Sequence, residues 1–555
     1  LSQASPSESS LLPESGTVYI VGGQAKDGEK IAKTLKSRTS LNFQVVKSLP
    51  DSLPEDFCGM ILIHSTEHAS DSFFHVKRSV RTQMKASLVD GPFHSLRQAL
   101  PALESKSSSF VAAVSFAGGQ FNLDGTQEHN PLLGVLPGLI KTAAKEHANI
   151  RFRLVDFHIK ENWIPLFADE ILFYNDDIQT GILDGKRYIQ QPCRTYWNQE
   201  KSDFSLTSED VILVTGGARG VTAETIRQMA AVYPCHYLLA GRSSMNVEYV
   251  ELFSPGDDET QIRNTLIRNW KEQGKAFTPK DLQSHCKSIL AALEVQYQLN
   301  YLKQLGAKAQ YLQLDVTDEA ATSKTLKSLQ SETGPITGVI HGAGVIRDKL
   351  ISEKTDEQFH QVFTTKIDSL ALILDCLNKN PLKLMAFFSS VAGKFGNKGQ
   401  CDYAAANETM NYLSLQGDHR WPECRFLSFC WGPFEGGMVT PQLAAMFKSQ
   451  GIGLIPVPTG ASLFVEELLS GNYNRREITV GVGSIELGQT HTYPRPDAWI
   501  IPWKLDLKNS PYLLDHKLKD EPVLPMAMVV EWCADIAGTI YPGARFSEIQ
   551  NLKVH

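Results

Sequence analysis

The sequence predicts an α/β fold built from two doubly wound parallel-sheet subdomains, the second of them complete. Three observations lead there. Short apolar runs alternate with amphipathic stretches through both halves of the chain. In the second half, polar and glycine residues recur at the C-terminal ends of those runs, where ligands bind in an open parallel sheet. The length of 555 residues exceeds one ordinary domain, and 42% hydrophobic with 21% charged residues excludes a mainly disordered or fibrous chain.

Charge and cysteine usage narrow the function classes. The 54 basic and 61 acidic residues leave a net charge of -7, so no nucleic-acid partner is expected. The nine cysteines are scattered and form no C-x-x-C, which argues against a metal site or a disulfide scaffold and for a reducing, cytoplasmic setting. No apolar run is long enough to span a bilayer and no signal peptide is visible, so no membrane partner is expected.

Residues 1–16 are rich in Ser and Pro and read as a linker. Within 17–206, Val18–Val21, Gly59–Ile63 and Phe110–Ser115 read as strands, and segments around 72–100 and 137–147 as helices. Gly22-Gly23 follows the first strand, but the spacing after it is not that of a dinucleotide loop, and no nucleophile–base set follows. This half reads as structural.

The catalytic candidate spans 207–487. The strand Val211–Val214 runs into Thr215-Gly216-Gly217-Ala218-Arg219-Gly220-Val221-Thr222 and then an amphipathic helix. The next strands, Tyr237–Ala240 and Ala309–Leu314, end in Gly241-Arg242-Ser243 and in Asp315. Ile336–Ile340 ends in His341-Gly342-Ala343-Gly344, Leu384–Phe388 in Ser389-Ser390, and Arg425–Cys430 in Trp431-Gly432-Pro433. Residues 245–305 read as a helical insertion. The stretch 488–555 reads as a linker followed by the start of another domain, or as an arm packed on the preceding body.

A strand, a tight glycine turn and a helix start can hold a pyrophosphate on backbone N–H groups. Gly216 permits the turn and Gly220 close approach. Thr222 stands where a third small residue is expected, so either the helix sits farther from the sheet or the threonine methyl packs inward. Asp315 can accept from an adenine amine. Arg242 stands where an NAD enzyme often has an acid, and suits the extra phosphate of NADPH.

Tyr403 and Asn407 are four apart and share a helix face. The alanines between them leave the backbone open to a substrate. Ser390 ends the fifth strand and Lys366 lies in the helix before it. Carbonyl reduction needs this inventory: Ser390 to orient the oxygen, Tyr403 to donate a proton, Lys366 to lower the tyrosine pKa from about 10. Asn407 can hold a water or the lysine in a relay.

On these motifs, residues 207–487 resemble the ketoreductase domain of modular polyketide and polyunsaturated fatty-acid synthases, in the short-chain dehydrogenase/reductase superfamily. That branch has Tyr-x-x-x-Asn and takes its lysine from the earlier helix, as Tyr403, Asn407, Ser390 and Lys366 do here. The resemblance implies two Rossmann-like subdomains, with 17–206 the truncated one without cofactor. It implies NADPH held by Thr215, Gly216, Gly217, Arg219, Gly220, Val221, Arg242, Ser243, Asp315, Val316, Gly342, Ala343 and Gly344. It implies reduction of a 3-ketoacyl thioester carried by phosphopantetheine on an acyl carrier protein, beside neighbouring synthase domains. Ile346-Arg347-Asp348 occupies the place of the Leu-Asp-Asp that accompanies a (3R) alcohol, and Phe395 the place of the opposite type's tryptophan. Residues 511–532, with His516, Asp520 and Pro525, resemble the beginning of a hot-dog-fold dehydratase domain, here truncated. A stand-alone reductase of a free carbonyl compound and a non-catalytic scaffold remain the alternatives, and the oligomeric state is open.

Overall fold

The computed structural model describes residues 2–3, 10–73, 76–123, 129–173, 177–192, 204–417, 421–436, 439–449, 451–469, 475–481, 517–518, 521–522, 528–532 and 534. Two sheets carry the fold, as the alternation predicts. The first half comprises β1 (Ser2–Gln3), β2 (Thr17–Gly22), α1 (Ala25–Lys36), β3 (Asn42–Val46), β4 (Phe57–Ile63), α2 (Arg78–Lys85), α3 (Gly91–Glu104), β5 (Ser109–Ser115), α4 (Val135–Glu146), β6 (Ile150–Phe157), α5 (Trp163–Leu172), β7 (Gln179–Leu183) and β8 (Lys186–Ile189). Its strand order is β1-β8-β7-β6-β5-β4-β2-β3, parallel from β3 to β7 and antiparallel at β7–β8 and β8–β1. Among the described residues one strand, β3, lies beyond β2, whereas two, β10 and β11, lie beyond β9 in the second sheet.

The second half comprises β9 (Val211–Thr215), α6 (Gly220–Val232), β10 (His236–Gly241), α7 (Glu259–Glu272), α8 (Pro279–Gln304), β11 (Lys308–Gln313), α9 (Glu319–Thr333), β12 (Gly338–His341), α10 (Asp356–Phe363), α11 (Ser369–Cys376), β13 (Leu384–Ser390), α12 (Val391–Phe395), α13 (Cys401–Gln416), β14 (Arg425–Trp431), α14 (Pro441–Ser449), α15 (Val457–Leu469) and β15 (Glu477–Val480). The sheet order β11-β10-β9-β12-β13-β14-β15 is parallel throughout. The chain reverses direction across the sheet between β9 and β12, which opens a crevice at their C-terminal ends. Every residue of β9 is buried, as expected of a strand covered on both faces.

Between β10 and β11 the chain forms two helices, α7 and α8. Capping boxes, Asp258 with Gln261 and Thr278 with Asp281, start α7 and α8. Ile262, Leu266, Trp270, Leu282, Cys286 and Ile289 close a small core of their own between them. The last turns of α8 do something else. Val295 and Leu302 join the main core of the second sheet, and Gln298 donates to the Ala223 carbonyl of α6 (3.0 Å). One helix therefore serves as insertion at its start and as the ordinary crossover at its end.

The two halves pack helix on helix. The continuous helices 78–104 and 356–376 each contain one π turn, at Ala86–Asp90 and Thr364–Asp368. They run antiparallel: Phe93 stacks on Phe359 at 4.3 Å, Lys85 pairs with Asp368 at 2.6 Å and Arg81 with Asp375 at 2.8 Å. The second contact is tighter. A methyl on Gly138 of α4 would lie 2.7 Å from the backbone of Ala404 and Ala405 in α13. The alanines between Tyr403 and Asn407 are fully buried in this contact. They admit α4 and not, as the sequence suggested, a substrate.

By itself, the smaller unit, 440–454 with 481–555, holds α14 and an antiparallel pair, Lys517–Leu518 with Glu521–Pro522. His516, Asp520 and Pro525 lie outside the described residues. Among the described residues, no helix is long and apolar enough to cross a membrane.

Candidate active site

The glycine loop follows β9 directly. Gly216 (φ 71°) and Gly220 (φ 62°) adopt left-handed conformations that a side chain would strain. Gly220 begins α6, so the unpaired N–H groups of its first turn face the loop. The bulk of Thr222 is accommodated from the other side. A methyl on Gly342 would sit 2.6 Å from the Thr222 hydroxyl oxygen and 2.9 Å from its methyl carbon. The space normally opened by a glycine in the loop is thus opened by a glycine at the end of β12.

A cleft of about 510 Å³ adjoins this loop, lined by Gly216, Ala218, Arg219, Ala240, Gly241, Arg242, Ser243 and Tyr311. Its backbone floor and its two guanidinium groups fit the phosphates and ribose of a dinucleotide. Arg219 pairs with Glu294 of α8 and lies 3.5 Å from the Ser243 hydroxyl. Tyr311 donates to the Ser243 carbonyl (2.8 Å), fixing the turn after β10. Burial works to raise the Asp315 pKa, but the Thr317 hydroxyl and amide, then Arg242, hold it below its ordinary value.

The four catalytic candidates converge at the C-terminal ends of β13 and β12. Ser390 ends β13 and caps α12, its Oγ accepting from the Ala392 amide (3.1 Å). Tyr403 stands in the first turn of α13. Burial raises its pKa, as does the nearby Asp348 carboxylate, while hydrogen bonding to Asn407 and to Ser390 pulls the other way. The phenol is held above its ordinary value. Asn407 donates to the Tyr403 carbonyl (2.7 Å), and its Oδ1 is buried with no partner among the described residues.

Lys366 lies in the π turn between α10 and α11. Its Nζ donates to the Phe388 carbonyl (3.0 Å) and sits 5.2 Å from the centre of the Tyr403 ring. Burial drives its pKa down to about 7. Lys366 therefore gives up its proton far more readily than an ordinary lysine. The lysine is largely neutral before the phenol titrates, and Tyr403 remains a protonated donor.

Sequence reasoning missed the residues that hold this set. His341 was only the last residue of a strand. Its Nε2 bonds the Lys366 carbonyl (2.9 Å) and its Nδ1 bonds Thr215 Oγ1 (2.9 Å), which in turn accepts from the Ala343 amide (3.1 Å). Because a carbonyl can only accept, Nε2 carries the proton and Nδ1 accepts. Burial, then Lys366, lowers the His341 pKa to about 3, so the ring stays neutral. One imidazole thus ties the glycine loop to the lysine-bearing turn. Lys354 and Asp402 form a pair fully buried at 2.7 Å, and Asp402 also accepts from the Tyr403 amide (2.8 Å). The sequence signal for both was weak, because a lone acid beside a tyrosine and a lone lysine in a loop read as solvated residues.

This fold and this arrangement of side chains suit a nicotinamide-dependent reduction of a carbonyl group. Residues 211–436 match the KR domain family, which supports an oxoacyl reductase that uses NADPH in this region. The chain is 31% identical over 353 residues (61% of its length) to a polyunsaturated fatty acid synthase of Thraustochytrium sp.. It is 25% identical over 379 residues (66% of its length) to polyketide synthase PksN of Bacillus subtilis. It spans only 12% and 6% of those two proteins. Among solved structures, it resembles in fold the PlmKR1 ketoreductase from the first module of phoslactomycin biosynthesis in Streptomyces sp. HK803, with a TM-score of 0.60 and 19% identity over 87% of this chain and 91% of that one. The KR match ends at residue 436, and nothing in these similarities supports the dehydratase resemblance expected for 511–532.

Proposed function

We propose that the chain reduces a carrier-bound 3-ketoacyl thioester to the (3R)-hydroxyacyl thioester within a polyunsaturated fatty-acid or polyketide synthase. In this reading 17–206 is the structural subdomain and 207–487 the catalytic one. The observation that carries it is the placement of Tyr403, Ser390 and Lys366 around one point beside the glycine loop. NADPH supplies the hydride when bound, held by the loop from Thr215 to Val221, by Arg242 and Ser243, by Asp315 and Val316, and by Gly342 to Gly344.

Ser390 orients the ketone oxygen. Tyr403 gives that oxygen its proton as negative charge builds there. Lys366, titrating near neutrality beneath the ring, is placed to return a proton to the phenolate. Asn407 offers its Oδ1 to a water that links this site to solvent. The direct test is NADPH oxidation with a 3-ketoacyl N-acetylcysteamine thioester. Turnover of simple ketones with none of the thioester would favour the stand-alone reductase instead.

The hand of the alcohol follows from the direction of entry. Arg347, which reverses the charge expected there, is turned away onto Gln361 (2.6 Å) and its own loop carbonyl at Ile346 (2.9 Å). Asp348 is held beside the start of α13 by Gln400 (3.1 Å). This supports guidance by Asp348 and a (3R) product. Chiral chromatography of the product from carrier-bound substrate checks it, and a mainly (3S) alcohol overturns it.

Cofactor choice is the next expected outcome. Arg242 is exposed on the cleft wall without an acidic residue in its turn. Losing a charge-assisted contact to the 2′-phosphate costs roughly ten- to a hundredfold in affinity. Arg242→Ala should therefore lower kcat/KM for NADPH by that factor and leave NADH almost unchanged. Equal wild-type efficiency with both cofactors would remove Arg242 from the site.

A further inference from the structure

One carboxylate of the first half reaches two loops at the mouth of the site. Glu146 is the last residue of α4. Its Oε2 accepts from the Ile351 amide (2.8 Å) and its Oε1 from the Gly399 amide (2.9 Å). The first amide belongs to the loop that carries Asp348. The second lies four residues before Tyr403. Around this bridge the loops are laced together. Lys349 donates to the Gly399 carbonyl (2.9 Å), Gln400 to Asp348 (3.1 Å), and Lys354 to Asp402 (2.7 Å).

We infer that Glu146 of the cofactor-free half is a positioning residue that sets the spacing between the Asp348 loop and the start of the Tyr403 helix. The argument is one of stereochemistry and charge. An ionised carboxylate has two oxygens and takes one backbone N–H on each, which fixes both amides at once and in one plane. Neither loop contains a regular ladder that would do this by itself, since the residues between β12 and α10 have only a short 3₁₀ turn at Ile351–Glu353. The anchor is rigid. Glu146 ends the helix that Gly138 seats against Ala404 and Ala405, so the same helix that fixes the height of α13 fixes the loops around its first turn. A catalytic geometry is sensitive to such spacing, because a displacement of about 1 Å away from the chemistry can cost on the order of a hundredfold in rate. The first half is then part of the specificity apparatus, and its role exceeds that of a spacer. The effect on turnover rests on the reading of the second half as a ketoacyl reductase; the effect on the loops does not.

The test uses the full chain with Glu146→Ala, Glu146→Gln and Arg81→Ala. Arg81→Ala breaks a contact between the same two halves, at Asp375, away from both loops. Hydrogen exchange is followed in peptides covering 349–353 and 397–401, without substrate. Loss of a hydrogen bond to a charged group should speed exchange there about tenfold or more in Glu146→Ala. Glu146→Gln, with one acceptor oxygen, should loosen one segment more than the other, and it serves alone if the alanine variant does not fold. In turnover, both Glu146 variants should raise KM for the thioester and erode the chiral purity of the alcohol, with kcat/KM down roughly ten- to a hundredfold and NADPH affinity unchanged. Arg81→Ala should leave exchange in both segments and the product ratio as in wild type. Unchanged exchange in the Glu146 variants overturns the inference. So does an equal effect of Arg81→Ala, which would make Glu146 only one of several contacts between the halves. A wild-type chain that fails to reduce the thioester overturns the proposed substrate, and the exchange comparison still decides the role of Glu146.

Discussion

Tyr403→Phe should lower turnover by about 10²–10⁴ while leaving NADPH binding almost unchanged. The ring stays in place, because the substitution removes only the hydroxyl from a residue anchored in the first turn of α13. What is lost is the one proton positioned to neutralise the developing alkoxide. The hydroxyl is suited to that task by its surroundings, which keep it protonated well above neutral pH, burial first and Asp348 next. Ser390 can still orient the ketone, so KM for the thioester should change much less than kcat. Fluorescence titration with NADPH and single-turnover reduction separate the two effects. Near-normal single-turnover rates in the variant would assign the acid elsewhere.

The parts of this fold that could be read from sequence are those in which chemistry and periodicity coincide. Val211–Val214 is an uninterrupted apolar run that leads through Thr215 into glycines, and both features follow from a buried strand that feeds a phosphate loop. Tyr403 and Asn407 announce a shared helix face by spacing alone. β6 did not announce itself, because Arg151, Arg153 and Asp156 break its apolar run. In the structure Arg153 is fully buried against Glu170 (3.5 Å). Asp156 is likewise buried, accepting from Ser115 (2.7 Å), Ala117 (2.6 Å) and Phe121 (2.9 Å). Charges satisfied across the sheet look like surface charges until the partners are known. The same blindness hid His341, Asp402 and Glu146. Each acts through a backbone group more than twenty residues away or through a pair that only tertiary packing creates. The role of the alanines was misread for a related reason. Small residues permit close approach, but sequence does not say whether a substrate or another helix approaches.

Lys366→Met should abolish most turnover and at the same time make the protein more stable at acidic and neutral pH. In the folded chain the ammonium is buried and its pKa falls to about 7, whereas the unfolded lysine titrates near 10.4. Below about pH 7 both states carry the proton, and folding must bury a cation, a cost on the order of a few kcal/mol. Between about 7 and 10 the unfolded state holds more protons than the folded one, so this residue's contribution to stability improves as pH rises. Above that window the cost is gone. Methionine fills a similar volume without charge and removes the cost at every pH. Against this stands the lost bond to the Phe388 carbonyl, worth about 1 kcal/mol. The net gain should therefore be largest near pH 6 and shrink to nothing or reverse by pH 9–10. Urea midpoints of the two proteins across that range read the difference directly. The activity loss, on the order of 10²-fold or more, should appear in kcat and not in NADPH affinity, since Lys366 lies under the tyrosine ring and not on the wall of the dinucleotide cleft. A substitution that merely damaged the core would lower stability and activity together. Parallel stability curves for the two proteins from pH 6 to 9 would show that the lysine titrates normally, and with it the proton-return role assigned to Lys366 would fall.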